Sequence, residues 1–90
     1  MASVKIPTPL RSLTNDEDTI VVDAPDLKEL IAKMENSHPG IEERLLDENN
    51  ELRRFVNIFI NGEDVRFIDG LDSPVRDDDE VSIVPAVAGG

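Results

Sequence analysis

RRFVNIFINGEDVRF, running from Arg53 to Phe67, is the stretch whose reading decides the fold. Val56, Ile58 and Ile60 alternate with Phe55, Asn57 and Phe59, the period of two that sends successive side chains to opposite faces of a strand. The first set is wholly apolar and is expected to face a core. Asn61-Gly62 follows at once. Both residues tolerate positive φ, so the pair reads as the two-residue turn of a hairpin. Val65 and Phe67 then resume the alternation on a return strand.

Working outward, DENNEL (47–52) reads as a loop and IEERLL (41–46) as one extra helical turn with Ile41 and Leu45 inward. Upstream, DLKELIAKMENS (26–37) carries Leu27, Leu30, Ile31 and Met34 at i, i+3, i+4 and i+7, the apolar stripe of a helix. Pro25 suits its first turn, Asp23 is a candidate cap, and Asp26 and Glu29 complement the helix dipole. His38-Pro39-Gly40 closes it, with His38 expected to serve the exposed carbonyls there. TIVVDA (19–24) is a strand with Ile20 and Val22 on one face. SVKIPTPL (3–10) begins as another and is stopped by Pro7 and Pro9. RSLTNDED (11–18) between them reads as a polar turn. Downstream, a loop through Asp69-Gly70 and the acidic Asp77-Asp78-Asp79-Glu80 leads to a last strand, VSIV, which Pro85 ends. The order β-β-α-(short turn)-β-β-β gives an α+β chain: a mixed sheet with one main helix across one face, the β-grasp (ubiquitin-like) arrangement. A ferredoxin-like fold would need a second long helix, which residues 41–46 cannot supply.

Ninety residues suffice for one domain that buries roughly 60–65% of its unfolded surface, with little left over for an enclosed pocket. Twenty Asp and Glu against nine Lys and Arg give a formal charge of −11. Such a surface repels nucleic acid and anionic membrane, and suits a partner with a basic docking face; plain solubility explains it equally well. There is no cysteine, which removes disulfides, thiolate nucleophiles, zinc–thiolate sites and iron–sulfur clusters. No apolar run approaches the ~20 residues that span a bilayer, and MASVKIP lacks a signal peptide's apolar core. The expected location is cytoplasmic.

Chemistry of the chain's own is hard to assemble. His38 is the single histidine, and no G-x-S-x-G surrounds a serine. Asp47-Glu48-Asn49-Asn50-Glu51 begins like a calcium loop, but that loop needs Gly where Leu52 stands and Glu where Ile58 stands. No metal site is assigned. Neither G-x-x-x-x-G-K nor G-x-G-x-x-G occurs, so no bound nucleotide or other cofactor is expected.

The sequence ends in PAVAGG. With residues 1–85 as the domain, 86–90 read as a flexible tail. Ala86, Val87 and Ala88 are small enough for a narrow groove. Gly89 and Gly90 have no Cβ and can pass where any side chain would collide. The one ionisable group at the end is the carboxylate, which adenylation would turn into an acyl group with a good leaving group. Ordering such an arm costs roughly 1–2 kcal/mol per residue, so a partner must grip it along its length. Two terminal glycines arise by chance in about one chain in two hundred; following a β-grasp pattern, they ask for a different reading.

IPTPLR (6–11), IEERL (41–45), RFVNIFINGEDVRF (54–67) and EVSIVPAVAGG (80–90) together resemble the ubiquitin-like sulfur carriers of the MoaD/ThiS family, and within it a branch serving cysteine biosynthesis in actinobacteria. The resemblance implies that an E1-like enzyme uses ATP to adenylate Gly90, and that sulfur from a persulfide then makes a terminal thiocarboxylate. In that branch the sulfur passes to activated serine on a PLP-dependent cysteine synthase, and a zinc metallopeptidase releases the cysteine formed on the carrier. Gly90 is then the site of reaction, Gly89 lets it reach, and Pro85 to Ala88 form the arm. Phe55 and Phe59 become candidates for docking the activating enzyme, with Arg54 nearby; ordinary packing of the two phenylalanines and solvation of the arginine are the simpler readings. One departure is the acidic run at 77–80, where the family usually has a Gly-Asp turn. The alternatives are a modifier conjugated to lysine, a molybdopterin synthase small subunit, a thiazole-synthesis carrier, and a β-grasp interaction module in which the glycines are incidental.

Overall fold

Leu27, Leu30, Ile31 and Met34 form the buried stripe of an eleven-residue helix, and everything else in the fold is arranged to cover them. The computed structural model describes residues 1–85. Its elements are β1 (Ala2–Lys5), β2 (Thr19–Val22), α1 (Leu27–Ser37), α2 (Ile41–Leu45), β3 (Val56–Ile60), β4 (Glu63–Asp64) and β5 (Glu80–Pro85). One mixed sheet runs in the order β2-β1-β5-β3-β4. β1 pairs with β2 antiparallel and with β5 parallel, and β3 pairs antiparallel with both β5 and β4. This is the β-grasp expected from the sequence. Val4, Ile58 and Val81 come from the three central strands and are completely buried in the same cluster as the helix stripe. Buried area of this kind is the main favourable term in so small a domain.

Local chemistry explains each boundary. Asp26, in extended conformation, accepts a hydrogen bond from Glu29 N at 2.8 Å and caps α1. The cap is therefore Asp26 and not Asp23, and Pro25 lies just outside the helix. Asp26, expected only to complement the helix dipole, has its carboxylate within reach of the orphan N–H of Glu29. Asp26→Ala is expected to cost about 1 kcal/mol, seen as a lower chemical denaturation midpoint with an unchanged slope. At the other end His38 contributes its backbone N–H, which donates to Met34 O at 2.7 Å. Gly40 then turns the chain at φ 102°, and the Glu35 carboxylate accepts the N–H groups of Gly40 and Glu42 to cap α2. Ile41 and Leu45 point inward as expected.

Two segments depart from the sequence reading. Residues 8–13, in part expected as polar turn, form a 3-10 helix that begins at the prolines and buries Leu10. Thr14 follows, wholly buried, its hydroxyl donating to Glu17 O at 2.8 Å. The return strand after Asn61-Gly62 is two residues long, and Val65–Phe67 is a 3-10 turn initiated by Asp64, whose carboxylate accepts Arg66 N–H at 2.9 Å. Val65 is buried while Phe67 is 83% exposed, so the two do not share a strand face. The hairpin turn itself is as expected: Asn61 and Gly62 sit at φ 52° and 86°.

Candidate functional site

β5 is the middle strand of the sheet, and its last residue is the point from which the remaining chain continues. Val81 and Ile83 face the core while Ser82 and Val84 face outward. β1 has already ended at Lys5, opposite Ser82, so beyond that point β5 is held by β3 alone, with Pro85 opposite Val56. Pro85 therefore occupies the final position of the strand and does not lie beyond it. A residue without an N–H is tolerated at such a strand end. Ala86, Val87, Ala88, Gly89 and Gly90 lie outside the described residues.

A groove borders this exit, lined by Pro9, Leu10, Arg53, Phe55, Ile83 and Pro85, with Arg44 at its rim. Phe55 stands in the turn before β3, 57% exposed, and is separated from Phe59, which is half-buried on the outer face between Asp64 and Ser82. The two phenylalanines that alternation placed on one face thus serve different surfaces, because the strand begins only at Val56. Arg54 is exposed in the same turn. Arg53 is tied down: its Nε donates to Glu43 O at 3.0 Å and its N–H to Leu45 O at 3.0 Å.

Arg66 is the residue that sequence reasoning passed over. Its guanidinium donates to Asn57 Oδ1 at 2.8 Å, Arg53 O at 2.8 Å and Val56 O at 2.9 Å, fastening the turn that carries Phe55. The sequence reading places it between Val65 and Phe67 on the return strand and assigns it no role. The only clue was Asp64 two residues earlier, an Asx-turn signal that breaks the strand and swings the arginine back. Arg44 and Arg53 share the lining of this groove with Glu43, so both signs of charge border the exit.

The acidic turn before β5 is structural. Asp78 takes φ 70°, the position for which glycine is the usual choice, and Asp79 accepts Arg76 N and Asn61 Nδ2, each at 2.8 Å. Asn61 Oδ1 in turn accepts Glu80 N at 2.9 Å, joining the hairpin turn to the start of β5. Those hydrogen bonds, the Arg76 amide first, hold the Asp79 carboxyl below its ordinary value of 3.8. The Glu42 and Gly40 amides do the same for Glu35, below 4.5. Both groups bind a proton less readily folded than unfolded. They stabilise the fold above those ordinary values, and the contribution is lost as pH falls through the lowered ones. The expected result is that the melting-temperature gap between the parent and Asp79→Asn is open at pH 7 and closes as the pH falls below the ordinary carboxyl value of 3.8. A gap independent of pH would remove this assignment.

Among the described residues, no group of three or more His, Asp or Glu side chains converges as a metal site, and no helix is long and apolar enough to cross a membrane. The buried polar side chains, Thr14 and Ser73, are spent on backbone groups of their own turns. Pro85, held by β3 beside the groove, is the last described residue before the Gly-Gly end.

Comparison with known proteins agrees with this geometry. The ThiS family matches residues 4–90, which includes the Gly-Gly end. The sulfur carrier protein CysO of Mycobacterium tuberculosis is 44% identical over 90 residues, covering 98% of this chain and 97% of that one. The crystal structure of the Amycolatopsis orientalis BexX/CysO complex contains a chain of 43% identity that superposes with a TM-score of 0.94 over 100% of both chains. Small archaeal modifier protein 3 of Haloferax volcanii is 35% identical over 75 residues, 83% of this chain and 74% of that one. With a family match over nearly the whole sequence and relatives of this identity and coverage, the chain belongs to the ThiS family of β-grasp proteins.

Proposed function

We propose that this protein is a sulfur carrier that works as a co-substrate and leaves the catalysis to its partners. The observation that carries this reading is the continuity of the family match through Gly90, five residues past Pro85, the last described residue of the central strand. The Gly90 carboxylate attacks the α-phosphorus of ATP held by an E1-like enzyme; pyrophosphate leaves and an acyl-adenylate forms. The outer sulfur of a persulfide attacks the acyl carbon, AMP departs with the bonding pair, and a thiol reduces the acyl disulfide to the thiocarboxylate. The likeness to CysO supports a cysteine-forming route, in which a PLP-dependent synthase accepts the sulfur and a zinc metallopeptidase releases the product. ATP, PLP and zinc belong to those partners. With no cysteine of its own, the carrier offers no internal thiol to compete for the activated acyl group.

The test is an intact mass spectrum after incubation with ATP, a persulfide source and the host's E1-like enzyme. A sulfur-for-oxygen increment localised to Gly90 is expected. An unchanged mass with an enzyme shown to be active overturns the proposal. The likeness to an archaeal modifier protein favours a second reading, conjugation to lysine, and isopeptide adducts in the same spectra would select it. For docking, Phe55 is the large exposed side chain beside the exit, and truncating a buried interface aromatic costs about 2 kcal/mol or more. Phe55→Ala is expected to lower kcat/KM for adenylation about thirtyfold with the melting temperature unchanged. An unaltered kcat/KM would move the docking surface elsewhere.

A further inference from the structure

β2 is an outer strand of the sheet, and its free side borders a groove walled by Ile20, Val21 and Val22 and, from the end of α1, by Lys33, Met34 and His38. The direction of its backbone groups follows from register. Ile6 N–H donates to Asp18 O at 2.8 Å, and the antiparallel pairing continues in steps of two through Val4–Ile20 and Ala2–Val22. Ile20 and Val22 therefore spend their N–H and C=O on β1, while Thr19 and Val21 turn theirs outward. The next outward acceptor, the Asp23 carbonyl, receives Lys33 Nζ. Val21 is 59% exposed. The edge offers a short row of backbone donors and acceptors beside a groove of mixed lining, in which Asp23, Asn36 and Ser37 join the apolar side chains. Backbone pairing of this kind is what strand addition uses.

Charge selects the occupant. Asp16, Glu17 and Asp18 are exposed just before β2, and Asp23 is exposed just after it. Asp77 lies at that second end too, 2.8 Å from the amine of Met1, whose neighbour Ala2 pairs with Val22. Two copies pairing edge to edge would bring acid against acid at both ends, in either strand direction, and like charges so placed are destabilising. A strand with cations at both ends meets the complementary pattern. We propose that the β2 edge and its groove bind an extended peptide segment of another protein, with a β-branched centre flanked on both sides by Lys or Arg. This surface is two strands away from β5, so its occupation leaves the chain's exit at Pro85 open. It does not depend on the sulfur-carrier reading.

The experiment titrates the isotope-labelled full chain with the blocked peptide Lys-Arg-Val-Thr-Val-Thr-Arg-Lys and follows backbone amide shifts. Saturable shifts confined to residues 19–23 and 33–38 are expected, and the same peptide with glutamates for its four basic residues should bind at least about tenfold more weakly. Val21→Pro removes an N–H that faces away from β1, so it should abolish the shifts while the amides of β1 and β5 keep their positions. Asp18→Lys with Asp23→Lys should shrink the preference between the two peptides, with Asp16 and Glu17 still in place. Shifts centred on Pro85 or on the outer sheet face, equal binding of both peptides, or no saturable shift would overturn the proposal. Concentration-dependent dimerisation through β2 without peptide would overturn it as well, by assigning the edge to a second copy.

Discussion

Removal of Gly89 and Gly90 is expected to abolish thiocarboxylate formation completely, with the melting temperature unchanged. The two halves of this result rest on different physics. The described fold closes without these residues: β5 ends at Pro85, and the core cluster is built from residues up to Ile83. None of the described core contacts is removed. Activation, in contrast, needs a carboxylate that reaches a partner's active site, and shortening the arm by two residues withdraws it by up to ~7 Å. A misplacement of even 1 Å can cost about a hundredfold. Mass spectra of the parent and the shortened chain, recorded with the same active E1-like enzyme, check the chemistry, and a thermal melt checks the fold. If the shortened chain still acquires sulfur, Gly90 is not the acceptor.

Ile58→Ala, at the centre of β3, is expected to destabilise the protein by about 3–4 kcal/mol. Ile58 is wholly buried, flanked by the β5 residue Ile83 in register and facing the helix stripe within one core cluster. A domain this small has few other residues to take up the cavity. At ~0.05–0.15 kcal/mol per residue of net stability, the loss is about a fifth of the total or more, or a fall in melting temperature of roughly 15–25 °C. Phe67→Ala is the control. It removes a larger apolar side chain that is 83% exposed, and should change stability by no more than about 0.5 kcal/mol. Equal effects for the two would mean that burial in this structure does not govern stability.

The contrast between those two residues marks how far the sequence could be read. Periodicity identified Val56, Ile58, Ile60, Leu27, Leu30, Ile31 and Met34 as core, because a period of two or of 3.6 survives wherever an element has a buried face. Asn61-Gly62 was equally legible, since few dipeptides accept two positive φ values. Phe67 was misplaced because alternation assumes a strand, and the strand gave way to a 3-10 turn once the Asp64 carboxylate offered Arg66 N–H a local partner. The helix cap slipped for a related reason: Asp23 and Asp26 are both good caps, and geometry chose between them. At the site, the small, uncharged end of the chain was visible as residue types, and so was Phe55, which shares a groove with Pro85. Arg66 was not, because its role depends on carbonyls of Arg53 and Val56 brought near by the fold.

The parallel pairing of β1 with β5 has a mechanical consequence. These are the first and last strands of the described chain, laid side by side at the centre of the sheet, with β3 clamping β5 from its other flank. Tension applied through Pro85 runs along β5, so the two ladders resist it in shear and share the load, instead of opening one bond at a time like a zipper. Resistance to such pulling is a matter of rate, set by the barrier to rupture. A partner that draws the chain's end into a tight channel can therefore haul on this protein from that end without dismantling it.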